Sequence, residues 1–131
     1  MIKIKIEREI DPEVVANAMV GALEQGASAG WCQSAKMHNL PNFTKGDGPW
    51  YAAPSFWTSA FEVRVNYDDP DGEEGAGTGD KIIGPKHLEE GLQVMAEKYP
   101  RHFDDLVEGN DDAITHDVLF QCIVIGEVTY G

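Results

Sequence analysis

Residues 61–67 read Phe-Glu-Val-Arg-Val-Asn-Tyr, and this stretch decides the class of fold. Its odd-numbered residues are apolar and its even-numbered residues are polar. Such an alternation is typical of a β-strand that buries one face and leaves the other in water. The run Lys81-Ile82-Ile83 predicts a short strand that returns beside it. The residues between the two runs would then form the tip of an antiparallel hairpin.

That tip, residues 68–80, holds six acidic residues and four glycines, and no apolar side chain larger than alanine. It has too little apolar surface to bury to offset the entropy lost on ordering, so we predict an exposed, acidic, glycine-rich loop at 68–80. The glycines match no phosphate-binding motif, because Asp80 stands where a P-loop or a dinucleotide-binding loop needs another residue. A calcium-binding loop of the EF-hand type would need acidic residues in place of Tyr67 and Thr78. We predict no metal site and no cofactor.

The N-terminal part of the chain predicts a strand followed by a helix. Residues 2–6 alternate isoleucine with lysine, which is the pattern of a half-buried strand. Residues 12–25 place their apolar side chains on one helical face, and Asp11 stands where an N-cap is expected. A second strand is indicated at residues 31–32, before a segment that is rich in glycine and proline.

The C-terminal part is predominantly helical in its pattern. Residues 85–99 share one apolar helical face, and a shorter helix follows that ends at Gly109. Asp112 offers an N-cap for residues 113–125, which are apolar enough to be either a helix or a buried strand. Residues 127–130 fit an edge strand at the end of the chain.

These elements predict a single α+β domain that spans residues 1–131. We expect about four strands, mostly antiparallel, with three or four helices packed on one face of the sheet. The composition agrees with a folded domain, since 42% of the residues are hydrophobic and 25% are charged.

The charge of the chain is unevenly distributed. The net charge is −13, and residues 68–131 alone carry sixteen acidic and four basic side chains. Phosphate contacts need clustered lysine and arginine, so direct binding of nucleic acid is excluded and a basic protein is the expected partner. The first residues lack the apolar run of a signal peptide, and no run is long enough to span a membrane. We therefore expect a cytoplasmic protein with two reduced thiols, Cys32 and Cys122.

The residues able to perform catalysis form no recognised motif. His102, Asp112 and His116 have the chemistry of a metal site or a general base, and Asp112 and His116 would share a helical face. Cys32 and His38 are a thiol and an imidazole that lie close in sequence. Neither set matches a defined spacing, so we assign no catalytic residue and an enzyme is the less favoured class.

Aromatic residues are concentrated in one segment. Six of the twelve lie between positions 31 and 57, where the sequence has no clean periodicity. Most of them are expected to cover the core of the sheet. Trp50 and Tyr51 follow a turn-rich stretch, which predicts that they are exposed and contact a partner.

Several stretches in the last third of the chain form a recognisable pattern. They are residues 97–106 (Glu-Lys-Tyr-Pro-Arg-His-Phe-Asp-Asp-Leu), residues 110–113 (Asn-Asp-Asp-Ala), residues 117–121 and the ending 126–131 (Gly-Glu-Val-Thr-Tyr-Gly). The pattern resembles small uncharacterised proteins encoded by bacteriophages and related mobile elements, and the opening strand and helix are also similar. The resemblance implies a phage or prophage origin, and it implies no activity and no site residue.

Three hypotheses of function follow, in order of preference. The first is a non-enzymatic phage-type protein that binds a basic host protein and acts as an inhibitor of host defence or in competition with nucleic acid. Its candidate contact residues are Trp50, Tyr51, Asp104, Asp105, Asp111 and Asp112. The second is a structural protein that self-assembles into a homo-oligomer through the sheet edge and the Trp50 surface. The third is an enzyme that depends on a metal or a small molecule.

Overall fold

The structure is a computed structural model that describes residues 1–4, 6–25, 27, 30–69 and 78–130. Four α-helices and three β-strands are formed in these residues. In chain order they are α1 (Pro12–Glu24), β1 (Cys32–Met37), β2 (Val63–Asp68), β3 (Thr78–Ile83), α2 (Pro85–Lys98), α3 (Pro100–Glu108) and α4 (Ala113–Val124). Two single turns of 3₁₀ helix, Trp50–Ala52 and Pro54–Phe56, lie between β1 and β2. The predicted α+β class is confirmed.

The sheet is an antiparallel meander in the order β1-β2-β3. Val63 and Val65 of β2 are buried while Arg64 between them is exposed, so one face of the central strand is covered. The predicted hairpin is confirmed, and its pairing extends to Asp68 opposite Thr78. Residues 68 and 78–80, which were predicted as the ends of the loop, therefore belong to the strands. The backbone hydrogen bonds between β2 and β3 extend beyond the residues whose side chains alternate between apolar and polar. The centre of the loop, residues 70–77, lies outside the described residues.

Local capping signals set the helix boundaries that the sequence indicated. The carboxylate of Asp11 accepts a hydrogen bond from the backbone nitrogen of Glu13 at 2.9 Å. Asp11 is thus the N-cap of α1, which begins at Pro12. Gly109 ends α3 with a φ of 79°, a left-handed conformation that glycine adopts at low cost. Of the ambiguous residues 113–125, Ala113–Val124 form the helix α4, which Asp112 caps and which is buried on nearly every side.

The helix α4 is the centre of the core, and α1, α2, α3 and β3 all pack against it. Its approach to α2 is close at Gly91, which is buried. A methyl group at that position would lie 2.8 Å from Cα and 2.9 Å from the backbone nitrogen of Ile123. Only a residue without a side chain allows the two helices to come this near.

Two predicted strands are not formed, so the described chain has three strands instead of four. Residues 2–4 and 6 have no strand pairing, and Ile2 and Ile4 are 94% and 76% exposed. Residues 127–130 pair with no strand through their backbone. The Tyr99 hydroxyl and the side chain of Gln121 accept hydrogen bonds from their backbone, and the Tyr130 hydroxyl donates to the backbone oxygen of Asp68 in β2. Alternation identifies a segment able to be a strand, but a strand also needs a partner for its backbone groups.

Candidate partner-binding surface

The acidic residues of α3 lie largely on its solvent side. Asp104 and Glu108 are exposed, and Asp105 between them is half-buried. Asp104 and Glu108 are four residues apart, so their side chains are neighbours on one face of the helix. Within the part of the chain that the structure describes, neither carboxylate has an ion-pair partner. This face is negatively charged and open to a partner.

Asp112 has a structural role in α4. Its carboxylate accepts hydrogen bonds from the backbone nitrogen of Thr115 at 3.0 Å and from the Thr115 hydroxyl at 3.2 Å. The pKa of Asp112 is lowered, chiefly by the backbone hydrogen bond from Thr115, with a smaller contribution from the nearby charge of His102. The carboxylate is exposed but already committed to the first turn of the helix.

Asp111, and not Asp112, contacts His116. The Oδ2 atom of Asp111 meets Nε2 of His116, and both side chains are largely buried. The sequence placed Asp112 and His116 on one helical face and also predicted Asp112 as an N-cap, and the N-cap role is confirmed because its side chain folds back onto its own helix turn. The imidazole packs against Gly21 of α1, where any side chain would overlap the ring.

The histidines do not assemble a metal centre in the residues described. His102 and His116 each have a buried Nδ1 atom without a hydrogen-bond partner within those ranges. No group of three or more histidine, cysteine or acidic side chains there is arranged to hold a metal ion.

Cys32 and His38 do not meet. Cys32 begins β1 and His38 follows its last residue, Met37, so the two are about 20 Å apart at the rise of an extended strand. Burial raises the pKa of the Cys32 thiol to about 11, and it does the same for Cys122. A thiol with such a pKa is neutral at pH 7, so neither cysteine has the thiolate character of a nucleophile.

Trp50 and Tyr51 are half-buried, although the sequence predicted that they are exposed. The ring of Trp50 packs on Phe56 with centroids 4.9 Å apart. The Tyr51 hydroxyl donates a hydrogen bond to Glu24 at 2.6 Å, and this bond raises the pKa of Tyr51 to about 12. Both residues therefore attach the irregular segment to the core, and each keeps only part of its surface for a partner.

A buried polar network was not foreseen from the sequence. Gln121 is completely buried, and its amide donates to Asp117 and to the backbone oxygen of Tyr130. Its amide oxygen accepts from the backbone nitrogens of Thr129 and Tyr130. Asp117 also accepts a hydrogen bond from the indole of Trp31 at 2.7 Å. The only signal in the sequence was a glutamine inside an apolar helical run.

An open cleft of about 830 Å³ lies between the N-terminal segment and the helices α1, α2 and α3. Its floor is apolar and includes Leu92, Ala96 and Phe103. Its rim carries acidic side chains, among them Glu9 and Glu89. The volume is within the range of ligand-binding pockets in proteins.

Comparisons with protein-family models, with curated proteins and with solved structures found no match for this chain. None of the helices in the described ranges has the length and apolar character needed to cross a membrane.

Proposed function

We propose that this chain is a non-enzymatic acidic binding protein of the bacteriophage type, which attaches to a basic surface of a host protein. The observation that carries the proposal is the exposed face of α3 formed by Asp104 and Glu108. Like charges one helical turn apart repel each other, so a cationic partner placed over them relieves that repulsion. The excess of twelve negative charges in residues 68–131 adds long-range attraction for the same partner.

The chemistry of the partner follows from that of the surface. Proteins that bind nucleic acid present clustered lysine and arginine, which is the complement of an acidic helical face. Occupation of such a surface by this chain would exclude DNA or RNA and inhibit the host protein, for example a component of host defence. Association by charge is fast at low ionic strength and is weakened as salt screens the charges.

Capture of partners from a bacterial lysate, identified by mass spectrometry at low and high salt, tests the proposal. The double variant Asp104→Lys/Glu108→Lys should lose a basic partner that the parent protein captures at low salt. Asp111 and Asp112 are left unchanged because they hold α4. Asp47→Lys/Glu62→Lys is the matched control, since it changes the net charge equally at two exposed sites outside the helices. Equal capture by all three proteins would contradict the proposal.

A further inference from the structure

The N-terminal arm, residues 1–4, exposes apolar side chains that have no cover in the described chain. Ile2 is 94% exposed and Ile4 is 76% exposed. An extended segment places residues two apart on the same side, so the two isoleucines form one apolar edge when the arm binds in that form. Two adjacent uncovered isoleucines are an unfavourable arrangement in water, and burial of both would be favourable.

The cleft offers an apolar surface of the right form for this edge. Leu88, Leu92 and Ala96 are spaced by four residues and form a stripe along α2 inside the cleft. Ile6 lines the cleft of its own chain, but Ile2 and Ile4 are not among its lining residues. Ile6 is therefore the isoleucine of the N-terminal segment that contacts its own cleft, while Ile2 and Ile4 remain exposed.

The spacings of the two apolar rows agree. Side chains two residues apart in an extended segment repeat every 6.6 Å or so, at about 3.3 Å per residue. Side chains four residues apart on a helix repeat every 6.0 Å or so, at about 1.5 Å per residue. Ile2 and Ile4 can therefore fit between successive side chains of the row Leu88, Leu92 and Ala96, and neither the arm nor the helix has to be stretched.

The charges agree as well. Glu7, Glu9 and Glu89 lie at the rim of the cleft. The basic side chain there is Arg8, whose guanidinium lies 5.9 Å from the centre of the Phe103 ring. Lys3 stands between the two isoleucines in the sequence, so the arm carries a positive charge beside its apolar side chains. A basic apolar arm and an acidic-rimmed apolar cleft are complementary in both respects.

We propose that the arm of one copy of this chain docks in the cleft of a second copy, and that the two copies exchange arms reciprocally. Because each copy carries both the arm and the cleft, the exchange closes with two-fold symmetry and forms a dimer. The proposal concerns a different surface from the α3 face, so charge reversal at Asp104 and Glu108 leaves the dimer intact.

Sedimentation over a dilution series of the full chain is the first test. The parent protein is expected to be a reversible dimer. The variant Ile4→Asp changes two buried contacts per symmetric dimer and should weaken dimerisation by at least about 100-fold. Leu40→Asp is the matched control, because Leu40 is 91% exposed and lies outside the cleft. A parent protein that stays monomeric at every concentration, or a dimer unaffected by Ile4→Asp, would overturn the proposal.

Cross-linking then identifies the surface that the arm contacts. Chains with Ile4→Cys are mixed with chains with Ala96→Cys and treated with a short bismaleimide, while the native thiols are buried. A covalent dimer is expected for this mixture and not for Ile4→Cys mixed with Ile82→Cys on the open face of the sheet. If Ile4→Cys and Ala96→Cys react only when both are in one chain, the arm occupies its own cleft and the proposed exchange is refuted.

Discussion

Replacement of Gln121 by leucine should lower the free energy of unfolding by about 2–4 kcal/mol. Gln121 is completely buried, and its amide makes four hydrogen bonds, at 2.8 and 2.9 Å from Nε2 and at 2.8 and 2.9 Å to Oε1. A leucine has a similar size, so the change removes the polar contacts and creates little empty space. Three of the bonds hold the backbone of Thr129 and Tyr130, which makes the side chain the main attachment of the C-terminal segment.

The magnitude follows from those four bonds. A hydrogen bond in a folded protein contributes about 1 kcal/mol net, which gives about 4 kcal/mol for the set. The backbone of Thr129 is near the surface and regains water when the segment detaches, so the loss falls below the full sum. The additional apolar surface of leucine offsets a further part, and about 2–4 kcal/mol remains.

Urea denaturation followed by tryptophan fluorescence measures the effect. Trp31 is a suitable probe because it stacks on Tyr130 and donates to Asp117, two groups that Gln121 holds. Gln33→Leu is the control, since this exposed glutamine makes one hydrogen bond, to Asp68, and should change stability by less than about 0.5 kcal/mol. Hydrogen exchange at the amide of Tyr130 should accelerate only in the Gln121 variant. If the two variants unfold at the same urea concentration and exchange at that amide is unchanged, the assigned role of Gln121 is incorrect.

Two further changes test the packing of the core and the burial of its thiols. Gly91→Ala should destabilise the protein although alanine favours helices by about 1 kcal/mol, because the added methyl group meets the backbone of Ile123 at a cost of about 1–3 kcal/mol. Gly30→Ala, where a methyl group meets no atom of the described residues within 4 Å, should be neutral or slightly stabilising in the same thermal unfolding assay. The thiols of Cys32 and Cys122, whose pKa rises from 9.0 to about 11, should resist alkylation at pH 8 unless urea is present. The unfolded chain loses these protons first, so the stability contributed by the two thiols should be constant below pH 9 and be lost as the pH rises from 9 to 11. The fall should be smaller in a double alanine variant, and equal falls in both proteins would contradict the assignment.

Much of the architecture was predictable because its signals are local. The alternation in residues 61–67 and the cap at Asp11 depend on neighbours within one strand or one helical turn. The same is true of Gly109 at the end of α3. Residues 113–125 were ambiguous because a helix buried on all sides has no polar face to reveal its period.

The candidate site was predicted less well than the fold. Asp104 was identified as an exposed acid, and the structure places it so. Asp111 and Asp112 have the same chemistry in the sequence, but one pairs with His116 and the other caps α4. The sequence composition gives the number of charged side chains, but it does not show which of them already bind other groups within the folded chain.

The sequence by itself determined the helices α1, α2 and α3, the hairpin and the acidic character of the second half, because periodicity, capping and charge act over short distances along the chain. The tertiary structure alone decided which segments find partners. It left residues 2–4 unpaired, attached residues 128–130 to α4 and α2 through Gln121 and Tyr99, and brought Gly91 against α4. These outcomes depend on groups far apart in sequence, whose meeting is set by the packing of the whole core.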